Sequence, residues 1–149
     1  MYNPAKLQKL LEAEGFKTAL DTSTFCIQMS VYTNNFSIKV ISMPENCHTL
    51  FLASVSIDID GTELKKFLKV LATYCVRKAY LHNGYSSDDD GGFYTRIWVS
   101  LQTQLYSYKL TAFSNAGFTK KGKPFINNRT THEVAYFTAN PKTILWRLK

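Results

Sequence analysis

The sequence predicts a single α+β domain over residues 1–149, in the order α-βββ-α-βββ-α, with an antiparallel sheet and its helices packed on one side. Three observations carry that expectation. Segments with helical apolar spacing open, divide and close the chain, while the stretches between them alternate apolar and polar residues with a period of two. Turn-forming residues separate those alternating stretches closely enough for hairpins. A chain of 149 residues, 45% hydrophobic and 19% charged, is enough for one core.

The elements follow in order. Asn3 suits a helix cap and Pro4 the first helical position; Leu7, Leu10 and Leu11 form one apolar face, and Gly15 supplies a left-handed stop. Thr24 to Tyr32 alternates through Phe25, Ile27, Met29 and Val31. After turn chemistry at Thr33-Asn34-Asn35, the alternation resumes at Phe36, Ile38 and Val40. Pro44 breaks a loop from Met43 to His48, and Thr49 to Ile59 reads as a central strand. Asp60-Gly61-Thr62-Glu63 has the form of a capping box, ahead of a helix to about Leu81 in which Leu64, Phe67, Leu68, Leu71 and Cys75 recur at helical spacing. Asn83 to Gly92 is a polar loop. Phe93–Leu101 and Gln104–Phe113 predict a hairpin turning at Gln102-Thr103, followed by a loop from Ser114 to Asn128. Arg129 to Ala139 is the last strand, and Asn140-Pro141 opens a closing helix.

From Leu7 to Val99 this order, with Gly15-Phe16 after the first helix and Lys78-Ala79-Tyr80-Leu81 ending the second, resembles the α-βββ-α-β core of the type III secretion chaperone-like fold. The resemblance implies a small, non-enzymatic protein-binding module, often a homodimer.

Charge is unevenly placed. Residues 1–90 hold nine Lys/Arg and ten Asp/Glu, whereas residues 91–149 hold nine Lys/Arg and a single acid, Glu133, so the net charge of +7 belongs to the last part of the chain. A one-sign region of this kind attracts an acidic protein or a nucleic acid. Cys26, Cys47 and Cys75 are odd in number and set among apolar residues, which points to reduced thiols in the cytoplasm. No apolar run reaches the roughly 18 residues of a membrane span, and Met1-Tyr2-Asn3-Pro4 lacks the layout of a secretory signal.

The candidate binding face comes from the predicted hairpin. With Gln102-Thr103 as its turn, Tyr94, Arg96 and Trp98 share a face with Ser107, Lys109 and Thr111, placing flat rings beside cations. Lys120, Lys121, Lys123 and Arg129 extend the positive track. That combination predicts a non-enzymatic accessory or inhibitor-like protein docking on an acidic macromolecule. The Asn-, Tyr- and Phe-rich, acid-poor composition suggests a phage or mobile-element origin. The same face suits single-stranded nucleic acid, with bases stacked on rings and phosphates neutralised by cations.

A histidine-dependent phosphoesterase-like enzyme ranks last. His48 and His132 would each need a hydroxyl residue two places on, and those places hold Leu50 and Val134. Asp88-Asp89-Asp90 lacks the alternating ligand spacing of a calcium loop, no Cys-x-x-Cys nucleates a zinc site, and no phosphate-binding or dinucleotide fingerprint occurs. The sequence therefore predicts no catalytic residue, no metal and no cofactor.

Overall fold

A computed structural model of the protein describes residues 4–22, 26–43, 46–58, 60–83, 96–102, 107–126 and 132–149. Its elements run α1 (Pro4–Ala13), β1 (Lys17–Thr22), β2 (Ile27–Tyr32), β3 (Ser37–Met43), β4 (Asn46–Ser56), α2 (Thr62–Asn83), β5 (Arg96–Gln102), α3 (Ser107–Asn115), β6 (Thr119–Ile126), β7 (Glu133–Ala139) and α4 (Pro141–Arg147). The seven strands form one sheet in the order β1-β2-β3-β4-β5-β7-β6. The α+β class and single domain stand as predicted.

The order of elements within that class differs. Every neighbouring pair is antiparallel except β4 and β5, which run parallel, so the sheet is mixed. The cause is the connection: the 22-residue helix α2 carries the chain from β4 to β5, and a crossover of that length returns it in the same direction. A four-strand meander replaces the expected three, because Lys17–Thr22 pairs with β2 as an edge strand. The segment Ser107–Asn115, most of which falls in the predicted second hairpin strand, is a helix that buries Phe113, with Ala116 buried just past its end. Thr119–Ile126, predicted as loop, is the opposite edge strand. The observed order is α-ββββ-α-β-α-ββ-α.

Strand register separates the two faces of the sheet. Met29 pairs with Val40, Val40 with Leu52, Leu52 with Val99 and Val99 with Phe137, which puts all five on one face. That face shares a single core with Leu7 and Leu11 of α1, Leu64, Phe67 and Leu71 of α2, Phe113 of α3 and Ile144 of α4. The helices therefore gather on one side. Phe16, Phe36 and Phe67 meet there with centroids 5.4–6.2 Å apart in tilted and edge-on geometry, which adds to the apolar burial of each ring.

Helix ends are set by local chemistry. The α1 helix stops at Gly15 (φ +93°), where the Phe16 N–H returns to the Leu11 carbonyl. The α3 helix ends the same way, with Gly117 (φ +101°) and the Phe118 N–H bonded to the Phe113 carbonyl. At the start of α2 the Asp60 carboxylate accepts the Thr62 N–H at 3.1 Å, and Gly61, at φ +66°, turns the chain into the helix. Asn140 caps α4 by accepting the Lys142 N–H at 2.9 Å.

Candidate functional site

The parallel pair sets the geometry of the site. β4 and β5 are in register for four pairs, Thr49–Arg96 through Leu52–Val99, and then part company. Beyond that point Ala53 and Ser56 pair with β3 while Ser100, Leu101 and Gln102 pair with β7. The result is a fork at the carboxyl ends of two parallel strands, the position at which open sheets of this kind leave a crevice for ligands. The parting has a local cause. Between Ala53 and Ser56, β4 holds one residue more than the facing stretch of β3, and Ser54 takes φ +52° to accommodate it.

On the helix-covered side, α3 closes over the fork. The Lys109 Nζ donates a 2.7 Å hydrogen bond to the Val55 carbonyl on the bulged limb of β4, and partial burial lowers the lysine pKa below its ordinary value. Beside the first turn of α2, a cavity of about 220 Å³ is lined in part by Lys65, Asn115 and Arg147, together with Asp60.

A second cavity, of about 330 Å³, opens on the other face of the sheet where the strands part. Its wall comes from β3 (Ile41, Met43), β4 (Phe51, Leu52, Ala53), β5 (Trp98, Val99, Ser100) and Tyr136 of β7, so that among the described residues strands alone form it. Trp98 and Tyr136 stand nearly perpendicular with centroids 6.2 Å apart, and Phe125 of β6 lies 5.2 Å from Tyr136. Tyr136 and Phe125 are 43% and 41% exposed, so the rings beside the cavity are open to solvent.

The residues expected to form a binding face are only partly together. Arg96 and Trp98 do share a face of β5, but the strands beside them are not the predicted hairpin partner: Arg96 pairs with Thr49 and Trp98 with Phe51 of β4, Trp98 also pairs with Thr138 of β7, and the Tyr136 ring lies against Trp98. Lys109 is on α3, reaching the fork from the helix side. Lys120, Lys121 and Lys123 are exposed on the edge strand β6, of which Lys121 pairs with Tyr136. Tyr94 and Arg129 lie outside the described residues, as do Asp88, Asp89 and Asp90. Two further cations of the basic part of the chain, Lys142 and Arg147, belong to α4.

Sequence reasoning missed Phe51, Ile41, Met43, Tyr136 and the bulge at Ser54. A signal was present in the apolar run Thr49–Val55, which gives β4 apolar residues on both faces and so implies a partner for each. His48 lies within β4 rather than in a loop, and His132 just before β7 rather than within a strand. Among the described residues, no group of three or more His, Cys, Asp or Glu could hold a metal ion, and no helix is long and apolar enough to cross a membrane.

No family model and no curated protein matches the chain. Among solved structures, 55 chains match. One is a spermidine N-acetyltransferase SpeG K23-Y30 chimera from Vibrio cholerae and hSSAT, 9% identical, with a TM-score of 0.50 over 96% of this chain and 80% of that one. Another is an N-acetyltransferase from Staphylococcus aureus Mu50, 14% identical, with a TM-score of 0.43 over 78% of this chain and 69% of that one. A third is a GNAT family acetyltransferase from Elizabethkingia anophelis with acetyl-CoA bound, 8% identical, with a TM-score of 0.45 over 85% of this chain and 99% of that one.

The fold is thus the GNAT acetyltransferase fold, which overturns the likeness to secretion chaperones. The likeness rested on the string helix–meander–helix–strand alone, which carries no information on the parallel β4–β5 pairing. The expectation of a non-enzymatic docking protein of mobile-element type, with its nucleic-acid and phosphoesterase alternatives, falls with it, because the shared fold is that of transferase enzymes.

Proposed function

We propose that the protein is an acyltransferase-like enzyme that moves an acyl group from a thioester such as acetyl-CoA to an amine at the β4–β5 fork. The observation that carries this reading is the parting of the strands beyond Leu52 and Val99 at a bulge, with a cavity on one face and Lys109 on the other. The fold likeness supports it.

The acceptor nitrogen attacks the thioester carbonyl carbon; the C–N bond forms, the C–S bond breaks, and the thiolate leaves with the proton released by the amine. What the chain contributes is placement. The limb of β4 from Ala53 to Val55 has left the β5 ladder, so its peptide groups on that side face the fork, where they can hydrogen-bond an extended thioester arm and polarise its carbonyl. The residues present fit an anionic-tailed donor: Lys65 and Arg147 supply two cations beside the start of α2, where Asp60 is already engaged by the Thr62 N–H. Ser100 and Tyr136 bring hydroxyls to the cavity wall, where they can relay the amine proton. A cytoplasmic, reducing setting accords with Cys26 and Cys75 standing outside any disulfide.

The test is release of free thiol from acetyl-CoA in the presence of a panel of primary amines. Amine-dependent release is expected, and Ala53→Phe, which fills the cavity from β4, should abolish it while the protein remains folded. A wild-type protein that neither binds acetyl-CoA nor releases thiol would overturn the reading.

A further inference from the structure

We infer that the open-face cavity takes an acceptor amine built on an aromatic ring and carrying an anionic group, the aromatic amino acids being the simplest members of that class. This rests on the acyl-transfer reading for the amine's fate, but the recognition itself is independent of it.

The argument begins with shape. Trp98 and Tyr136 meet at 85° and make a two-sided corner, with Phe51 on the same wall. A flat ring seated in such a corner gains both offset and edge-on contacts. The volume, about 330 Å³, lies at the small end of ligand sites and suits one ring with a short arm.

Charge then decides between amines. No carboxylate lines the cavity among the described residues, and the polar side-chain groups of its lining residues are the hydroxyls of Ser100 and Tyr136 and the indole N–H of Trp98. Among the described residues, the charged residues that register places on this face in the strands lining the cavity and in the adjoining β6 are cations: Lys39 opposite Ala53, Arg96 two residues before Trp98, and Lys121 opposite Tyr136, while the carboxylate of Asp21 stands two strands out from Ile41. A polyamine, with several ammonium groups and no ring, would meet like charge and an apolar wall. An acceptor with a carboxylate meets the opposite sign, and a guanidinium such as that of Arg96 can bind it through two parallel hydrogen bonds. The same cations favour the neutral, nucleophilic form of the bound amine. The chain therefore departs in acceptor chemistry from the spermidine enzyme whose fold it shares.

The experiment reads Trp98 emission without any acyl donor. Trp98 and Trp146 are the two tryptophans, and Trp146 is 65% exposed, so Trp146→Phe leaves Trp98 as a single reporter in a folded protein. Titration with L-phenylalanine should give a saturable change, phenethylamine should bind at least about fivefold more weakly, and spermidine should give no change. Arg96→Gln in the same background should erase the preference for L-phenylalanine over phenethylamine by weakening L-phenylalanine binding, with phenethylamine bound no more weakly than before and the melting temperature unchanged. Tighter binding of spermidine than of L-phenylalanine, no response to L-phenylalanine, or a preference that survives Arg96→Gln would overturn the inference. The two readings fail separately. Thiol release with spermidine alone would refute this inference and spare the acyltransferase reading, whereas L-phenylalanine binding with no thiol release from any amine would do the reverse.

Discussion

The Nζ of Lys109 on α3 donates to the carbonyl oxygen of Val55 on β4 at 2.7 Å, so one limb of the fork is held by a side chain where a strand rung is missing. Burial lowers the pKa of this lysine, whereas in the unfolded chain it keeps its proton up to about 10.5. Between the lowered value and about 10.5 the unfolded chain binds more protons, so Lys109 makes stability rise with pH across that window. The difference in unfolding free energy between wild type and Lys109→Met should accordingly shift in favour of wild type as pH is raised through it, measured by urea unfolding at a series of pH values. A flat difference would contradict the assignment.

Ser54 is a non-glycine residue at φ +52° in the bulge. Because a left-handed backbone costs an ordinary residue about 1 kcal/mol, Ser54→Gly should stabilise the fold by up to that amount, and the β-branched Ser54→Val should destabilise it by more than about 1 kcal/mol. Thermal melts of the two variants give the comparison, and a stabilising valine would remove the bulge from the explanation of the fork.

Gly117 carries two constraints at once: its φ is +101°, and a Cβ there would stand 2.8 Å from Thr143 Cγ2 of α4. Gly117→Ala should therefore cost more than about 2 kcal/mol, the sum of backbone strain and overpacking. Adding Thr143→Ser removes the offending methyl and should restore the steric part only. Chemical denaturation of the single and double variants separates the two contributions.

The Asn140 side chain caps a helix of seven residues that places Ile144 in the core. Asn140→Ala should lower stability by about 1 kcal/mol, while Asn140→Asp, which keeps the acceptor oxygen, should stay within a few tenths of wild type.

How far the sequence reveals the fold depended on burial. β2, β3 and α2 each bury one face, and their periods of two and 3.6 were readable at once from residues such as Met29, Val31, Ile38, Val40, Phe67 and Leu71. The two strands that went unread, Lys17–Thr22 and Thr119–Ile126, are the two edges of the sheet. Lysines and other polar side chains are what protects an edge from pairing with another chain, and they erase the alternation that would announce a strand. In the sequence read as the second hairpin strand the spacing Tyr106, Tyr108, Leu110 imitates a strand, yet Gly117-Phe118 repeats the stop already visible at Gly15-Phe16. Of the site, Arg96 and Trp98 were legible as a pair on one strand face. Phe51, Ser54 and Tyr136 were not, because their meeting depends on β4 lying beside β5, a pairing created by a helix of 22 residues rather than by any local signal.

Among the described residues, four register pairs tie the first four strands to the last three. Should those rungs yield, the wall would come apart as two leaves, each still zipped within itself, and slowly exchanging amide protons would sort into two populations. A molecule lodged in the notch would grip both leaves and act as a rivet. Occupancy would then be felt as cohesion across the whole sheet, far from the atoms that touch the guest.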